Sequence, residues 1–240
     1  MPPAPTPAAS GPATEAPAPH GPAAGTAALR VLSLNLRRLR DSRDAVVRVL
    51  HDARPDVVAV QEVTRGLTGR RRMARLAADA GLVHVPTPGG RTTGVLVRPG
   101  LPVVRAHGVR LRSRLGRTRR GVAVVDVRGL RVASVHLGLD AAERLRHVDR
   151  LQRALRTDVP LVVAGDLNER PGGAAWLALT RHLRDLSATS GPTYPAREPR
   201  HRIDVVLGTG VEARTVHVRR DDVARAASDH LPVLVEVVAP

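Results

Sequence analysis

The chain has 240 residues, 42% of them hydrophobic and 25% charged, with a formal net charge of +16. That length supports one domain, or at most two small ones, with a substantial core. The absence of cysteine excludes a disulfide framework, a cysteine nucleophile and thiolate-ligated zinc, and no apolar run approaches the roughly 18 residues of a membrane span.

All 38 residues in the lysine-plus-arginine count are arginine, and Phe is absent beside one Trp and one Tyr. The arginine excess has two readings. A bias toward Ala, Arg, Gly, Pro and Val fills solvated surface positions with arginine, whereas a polyanion-binding surface uses the same charge to raise encounter rates.

Residues 1–28 are dominated by Pro, Ala, Gly and Thr, with Glu15 the single charged side chain. The composition predicts a disordered tail followed by one domain over 29–240. Prolines at positions 2, 3, 5 and 7 interrupt the apolar helix of a secretory signal, so a cytoplasmic location is expected.

From position 29 short apolar runs alternate with helical patterns. Residues 29–36 and 56–61 predict buried strands, and 42–53 an amphipathic helix with Ala45, Val46, Val49 and Leu50 on one face, ended by Pro55. A basic helix is expected over 68–80, closed by Gly81. Strands follow at 82–85, 94–98 and 103–111, then a hairpin of 121–127 and 130–137 around Arg128-Gly129. Residues 140–155 and 173–181 predict helices on either side of a strand at 160–164. Three last strands are expected at 202–207, 214–218 and 231–238. Helix-strand units at both ends with hairpins between fit two packed mixed sheets with helices outside.

Polar residues interrupt this pattern where strands end. Asn35 breaks the first strand, Glu62 follows the second, Asp166 and Asn168 follow 161–165, and Asp229-His230 precedes the last strand. His136 closes the run at 132–137. Asp204 sits among apolar neighbours in Ile203-Asp204-Val205, where a carboxylate costs several kcal/mol (about that order) unless paired. Asp229-His230 can supply the imidazole partner, and an Asp-oriented histidine is a common general base at neutral pH.

Taken in order, Leu34-Asn35, Gln61-Glu62, Ser134 to Leu137, Gly165-Asp166-Leu167-Asn168, Arg202-Ile203-Asp204 and Ser228-Asp229-His230 resemble the endonuclease/exonuclease/phosphatase superfamily of DNase I-like phosphohydrolases. Accessory matches are 94–98 and Pro192-Thr193-Tyr194-Pro195, and the resemblance spans about 29–238. It implies an α/β fold, a four-layer α/β/β/α sandwich, and in-line attack of water on a phosphoester assisted by a divalent metal. Glu62 would be the main metal ligand, with Asn35 and Asp229 as further oxygen donors, a set that suits Mg²⁺ or Mn²⁺. By the same resemblance His230, oriented by Asp204, would activate water or hold the phosphate. Asp166 and Asn168 would position the nucleophile, and His136 would donate to a phosphate oxygen or the leaving group.

The sequence departs from parts of that family. The aromatic residue and the central-strand Tyr of abasic-site endonucleases are missing, Thr92-Thr93 stand where many relatives carry Asn, and His147 replaces a common Gln, although Arg144 matches. Nucleic acid is the expected substrate, on charge. Lipid headgroups or inositol phosphates are the alternative within the same chemistry. A different class of reading is a non-catalytic polyanion-binding module using Arg110, Arg112, Arg114, Arg117, Arg119 and Arg120, the first three on one strand face. A calcineurin-like phosphatase is excluded because its Asp-x-His and Gly-Asn-His-Asp motifs are absent. A calcium loop from Asp166 would need an acid at position 177, which is Leu177.

Overall fold

The computed structural model describes residues 28–238 other than Arg65, Arg114, Leu115 and Arg117. The expected tail, but for Ala28, lies outside the described residues, as do Arg114 and Arg117 of the arginine run.

In chain order the elements are β1 (Leu29–Asn35), α1 (Arg43–Ala53), β2 (Val57–Gln61), α2 (Gly66–Asp79), β3 (Val83–Val85), β4 (Thr93–Val97), β5 (Val103–Arg110), β6 (Gly121–Val127), β7 (Leu130–His136), α3 (Ala141–Ala154), β8 (Leu161–Asp166), α4 (Ala174–Thr180), β9 (Arg184–Asp185), β10 (Asp204–Thr209), β11 (Glu212–Val218), α5 (Asp222–Ala227) and β12 (Val233–Val238). Local chemistry sets the helix ends. Ser42 Oγ accepts from Ala45 N at the start of α1, and Asp140 Oδ1 accepts from Glu143 N at the start of α3. Arg54, in the left-handed region, and Pro55 stop α1.

The strands form two six-stranded sheets, β11-β12-β1-β2-β4-β3 and β5-β6-β7-β8-β10-β9. Each holds one parallel pair, β1 with β2 and β7 with β8, among antiparallel neighbours. Val31, Val57, Ala59 and Val95 of the first sheet pack on Val125, Val132, Val162 and Val206 of the second. The outer face of the first sheet is covered by α1, α2 and α5 through Val46, Leu50, Leu76 and Ala224, and that of the second by α3 and α4 through Val148, Leu151 and Trp176. This is the four-layer α/β/β/α sandwich. Its core is Val, Leu and Ala, and each fully buried Val or Leu contributes about 1.5–3 kcal/mol of transfer free energy.

Several boundaries differ from expectation. The apolar run at 161–164 continues as strand through Gly165 to Asp166, because Asp166 pairs in register with His136 on one side and Asp204 on the other. β10 begins at Asp204, two residues late, and extends to Thr209. β5 stops at Arg110, so Arg112 does not continue the strand spacing expected for an arginine face. The sequence reading omitted α5 and the two-residue β9, both too short to show a period.

Candidate active site

The register of the two parallel pairs brings the polar residues together. Asn35 pairs with Gln61, directly before Glu62, at one end of the first sheet; His136 pairs with Asp166, and Asp166 with Asp204, at one end of the second. Ligand sites of parallel strands lie at their carboxyl ends, and here two such ends face each other. Between the sheets Ser134 Oγ donates to the Val60 carbonyl over 2.9 Å, a buried polar link just beneath the site.

Asp166 is the hub. Its Oδ2 accepts from Asn35 Nδ2 at 3.3 Å and lies 3.3 Å from His136 Nε2 and 3.9 Å from His230 Nε2. Its Oδ1 accepts from the Asn168 backbone N–H over 2.7 Å. Burial raises the Asp166 pKa to about 7, with the neighbouring Asp204 charge adding to it and His230 opposing. Asn168 takes a left-handed φ of 50° and donates through Nδ2 to the Leu137 carbonyl, tying the loop to the end of β7.

Asp204 and His230 form a buried pair. His230 Nδ1 lies 2.9 and 3.1 Å from the two carboxylate oxygens, and Thr193 Oγ1 donates to Asp204 Oδ2 over 2.6 Å. The carboxylate expected to need a partner has two. Burial works against charge on His230, but Asp204, then Asp166 and Asp229, outweigh it and raise its pKa to about 10. The Tyr194 ring stands 4.7 Å from the His230 ring. With Nδ1 committed to Asp204, Nε2 is the nitrogen left for chemistry.

His136 is buried and held neutral, its pKa driven well below the ordinary histidine value by burial and then by Arg120. Arg120 Nη1 donates to His136 Nδ1 over 2.5 Å. Arg120 was read as part of an exposed arginine run; it is buried, 8% exposed, with its charge beside Asp166 and Glu62. The signal that could have found it is its place directly before the apolar strand 121–127. Of the resemblance residues outside the hub, Arg144 ties α3 to the loop after β8 through Glu169, and His147 lies 3.1 Å from the Arg112 carbonyl and adds to the lowering of the His136 pKa.

Glu62 and Asp229 stand on the other flank. Glu62 occupies a left-handed bend, φ 49°, directly after β2, with its carbonyl held by the Arg38 N–H. Its carboxylate makes no hydrogen bond or ion pair among the described residues. Asn35 Oδ1 accepts from Arg37 N, and Asp229 Oδ2 pairs with Arg37 Nε at 3.2 Å. A carboxylate without protein partners, one residue after the Gln61 that pairs with Asn35, suits a hard divalent cation. A second group, Asp166, Asp204 and His230, has ligand atoms within 4.8 Å of one another. Within that group the carboxylate oxygens accept hydrogen bonds from His230, Thr193, Asn35 and Asn168, and His230 Nε2 has no hydrogen bond among the described residues.

The Endonuclease/Exonuclease/phosphatase family model matches residues 31–230. No curated protein matches the chain. Among solved structures, an endonuclease/exonuclease/phosphatase from Beutenbergia cavernae is 24% identical, with TM-score 0.71 over 88% of this chain and 72% of that one. A mannosyl-6-phosphatase from Bacteroides thetaiotaomicron is 16% identical, TM-score 0.67, over 88% and 99%. An AP endonuclease from Archaeoglobus fulgidus is also 16% identical, TM-score 0.67, over 86% and 98%. Among the described residues no helix is long and apolar enough to cross a membrane. With residues 31–230 matched by the family model and the fold shared with these structures, the chain belongs to the endonuclease/exonuclease/phosphatase family of metal-dependent phosphoric-ester hydrolases.

Proposed function

We propose that the chain is a Mg²⁺- or Mn²⁺-dependent phosphodiesterase that cleaves nucleic acid by in-line attack of water, within a single catalytic domain over 29–240. The observation that carries the hydrolytic part is the convergence of Asn35, His136 and His230 on Asp166 Oδ2. Asp166 and Asn168 hold the attacking water, and Asp166 takes its proton as the new oxygen–phosphorus bond forms. His230, fixed through Nδ1 by Asp204, presents Nε2 to a non-bridging phosphate oxygen. His136 donates through Nε2 toward the phosphate or the departing oxygen. Glu62, with Asn35 and Asp229, would hold the cation, which when bound neutralises charge on the phosphate.

Nucleic acid is favoured by the net charge of +16, and an AP endonuclease stands among the structural neighbours. The test is a substrate panel with metal titration: plasmid DNA and RNA against sugar phosphates, inositol phosphates and phosphocholine lipids. Mg²⁺- or Mn²⁺-dependent cleavage of polynucleotide is the expected result. Intact nucleic acid beside hydrolysis of a small or lipid phosphoester overturns the nuclease reading. Glu62→Gln and His230→Ala should each abolish turnover with the fold retained; near-normal activity in both overturns the residue assignment.

A further inference from the structure

Three adjoining hollows run away from Glu62 along one flank of the molecule. The first lies between Arg38 and Arg72 and shares Val63 and Thr64 with the second, which adds Arg70, His84 and Arg91. The second shares Pro88 and Gly89 with the third, which adds Arg110, Arg150 and Arg153. Their volumes are about 260, 500 and 520 Å³, so together they form a trough rather than a socket for one small group. Its inner end is at the site: the Arg38 N–H donates to the Glu62 carbonyl, and Val63 N–H to the Thr92 carbonyl.

The arginine bias of the chain does not by itself account for this lining. Arg43, Arg98, Arg131, Arg202, Arg219 and Arg225 are each paired with an aspartate. Of the trough's arginines, Arg153 pairs with Asp149, which lines another hollow, and a further hollow contains Asp52 with Asp221. The described lining of the trough contains no Asp or Glu. Arg38, Arg70, Arg72, Arg110 and Arg150 are exposed and make no ion pair among the described residues. Unneutralised guanidinium groups spaced along a groove match a run of phosphodiesters, each carrying one negative charge. No Trp, Tyr or Phe lines it, so base stacking is not offered and contact is with the backbone.

We infer that this trough holds the sugar-phosphate backbone of a nucleic-acid strand continuing for several nucleotides beyond the scissile bond, without regard to sequence. The inference rests on the nuclease reading of the same site and adds a length requirement to it. A small diester fills the centre alone and gains nothing from the trough.

The experiment uses the full chain carrying Glu62→Gln to stop turnover and measures binding of fluorescent random-sequence 4-mer and 20-mer single-stranded DNA across salt concentrations. The 20-mer is expected to bind at least about tenfold more tightly, with a steep salt dependence. Adding Arg70→Ala, Arg72→Ala, Arg110→Ala and Arg150→Ala should remove that advantage and lower the slope of log K against log salt by about three. The same four substitutions without Glu62→Gln should leave hydrolysis of bis(4-nitrophenyl) phosphate unchanged, which also reports that the fold is intact. Should the fourfold variant not fold, the four single variants are read in the same way, each lowering the slope by about 0.7. Unchanged 20-mer affinity and slope overturn the trough. Binding of phosphatidylserine vesicles in place of the 20-mer overturns it as well. Cleavage of the 20-mer by the unsubstituted chain is read separately: its absence refutes the nuclease reading, whereas an unaltered slope refutes only the trough.

Discussion

Arg120 donates through Nη1 to Nδ1 of His136, so the imidazole must accept there and carry its own proton on Nε2, 3.3 Å from Asp166 Oδ2. A guanidinium has donors only. The tautomer of His136 is therefore chosen by a residue on the neighbouring segment rather than by His136 itself, and burial, with the charge of Arg120 adding to it, keeps the ring neutral. The loss of either feature changes which nitrogen can donate toward the phosphate.

Arg120→Met is expected to lower kcat by about 10²- to 10³-fold, the range for removing one positioned donor, and to let the His136 pKa rise. Arg120→Lys keeps the charge but not the planar donor fork and should recover part of the loss. Histidine ¹⁵N chemical shifts check the tautomer independently of turnover. An unchanged Nε2-protonated His136 in Arg120→Met would show that another contact sets it.

Thr193 is a positioning residue, acting through Asp204. Thr193→Val keeps the shape but leaves Asp204 Oδ2 one donor short in a buried setting, a cost of about 1–3 kcal/mol. The expected result is a lower denaturation midpoint and a reduced kcat with little change in KM, both restored by Thr193→Ser. A displaced His230 Nδ1–H proton resonance distinguishes loss of orientation from a general loss of stability.

Two buried histidines lose their stabilising contribution on acidification. His136 and His147 both have folded pKa values below the ordinary value near 6.5, burial being the first cause in each. The unfolded chain then binds more protons, so their contribution is complete above about pH 6.5 and is lost as pH falls from there. Each can contribute up to about 1.4 kcal/mol per pH unit in that window. His230 has the opposite sign: its pKa, raised to about 10, stabilises below the unfolded value and that contribution is lost as pH rises toward 10. Asp166, raised to about 7, acts in the same direction as His230, its contribution growing as pH falls through 7. The test is therefore a difference between chains: from pH 7.5 to 5.5 the urea midpoint of His147→Gln should change less unfavourably than that of the unsubstituted chain, and an equal change in both would assign the acid sensitivity elsewhere.

Gly165 permits the close approach of β8 to β7 directly before Asp166. Its φ is +152°, and a Cβ there would stand 1.9 Å from the Val135 carbonyl oxygen, a backbone atom that cannot step aside. Gly165→Ala is expected to cost about 3 kcal/mol or more, combining strain with displacement of the strand, and to reduce activity by moving Asp166. A urea midpoint close to that of the unsubstituted chain would refute it.

The strand ends were legible in the sequence because Asn35, Glu62, His136 and Asp229-His230 each interrupt or border an apolar run, and the alternation of runs and amphipathic segments was enough for two sheets with helices outside. Asp166 was placed just after its strand, since Gly165 and Asp166 lack the apolar character that marks a buried strand. Only pairing with β7 and β10 makes them part of the ladder. Arg120 was grouped with exposed arginines because its one local mark, its place directly before the strand 121–127, does not by itself tell a buried cation from an exposed one. Burial of a cation is decided by which carboxylates the fold places around it.

The order of elements, the layer architecture and the residues with chemistry to offer follow from periodicity and residue type, which are local properties of the chain. What only the tertiary structure decided is who meets whom. Asn35 and Asp166 are 131 positions apart and share a hydrogen bond because two parallel pairs from different sheets end at the same rim. The same packing commits His230 Nδ1 to Asp204, gives His136 its tautomer through Arg120, and gathers arginines from distant segments into a trough that contains no acid among its described lining. Register, burial and the sum of nearby charges depend on long-range contacts, and no window of sequence contains them.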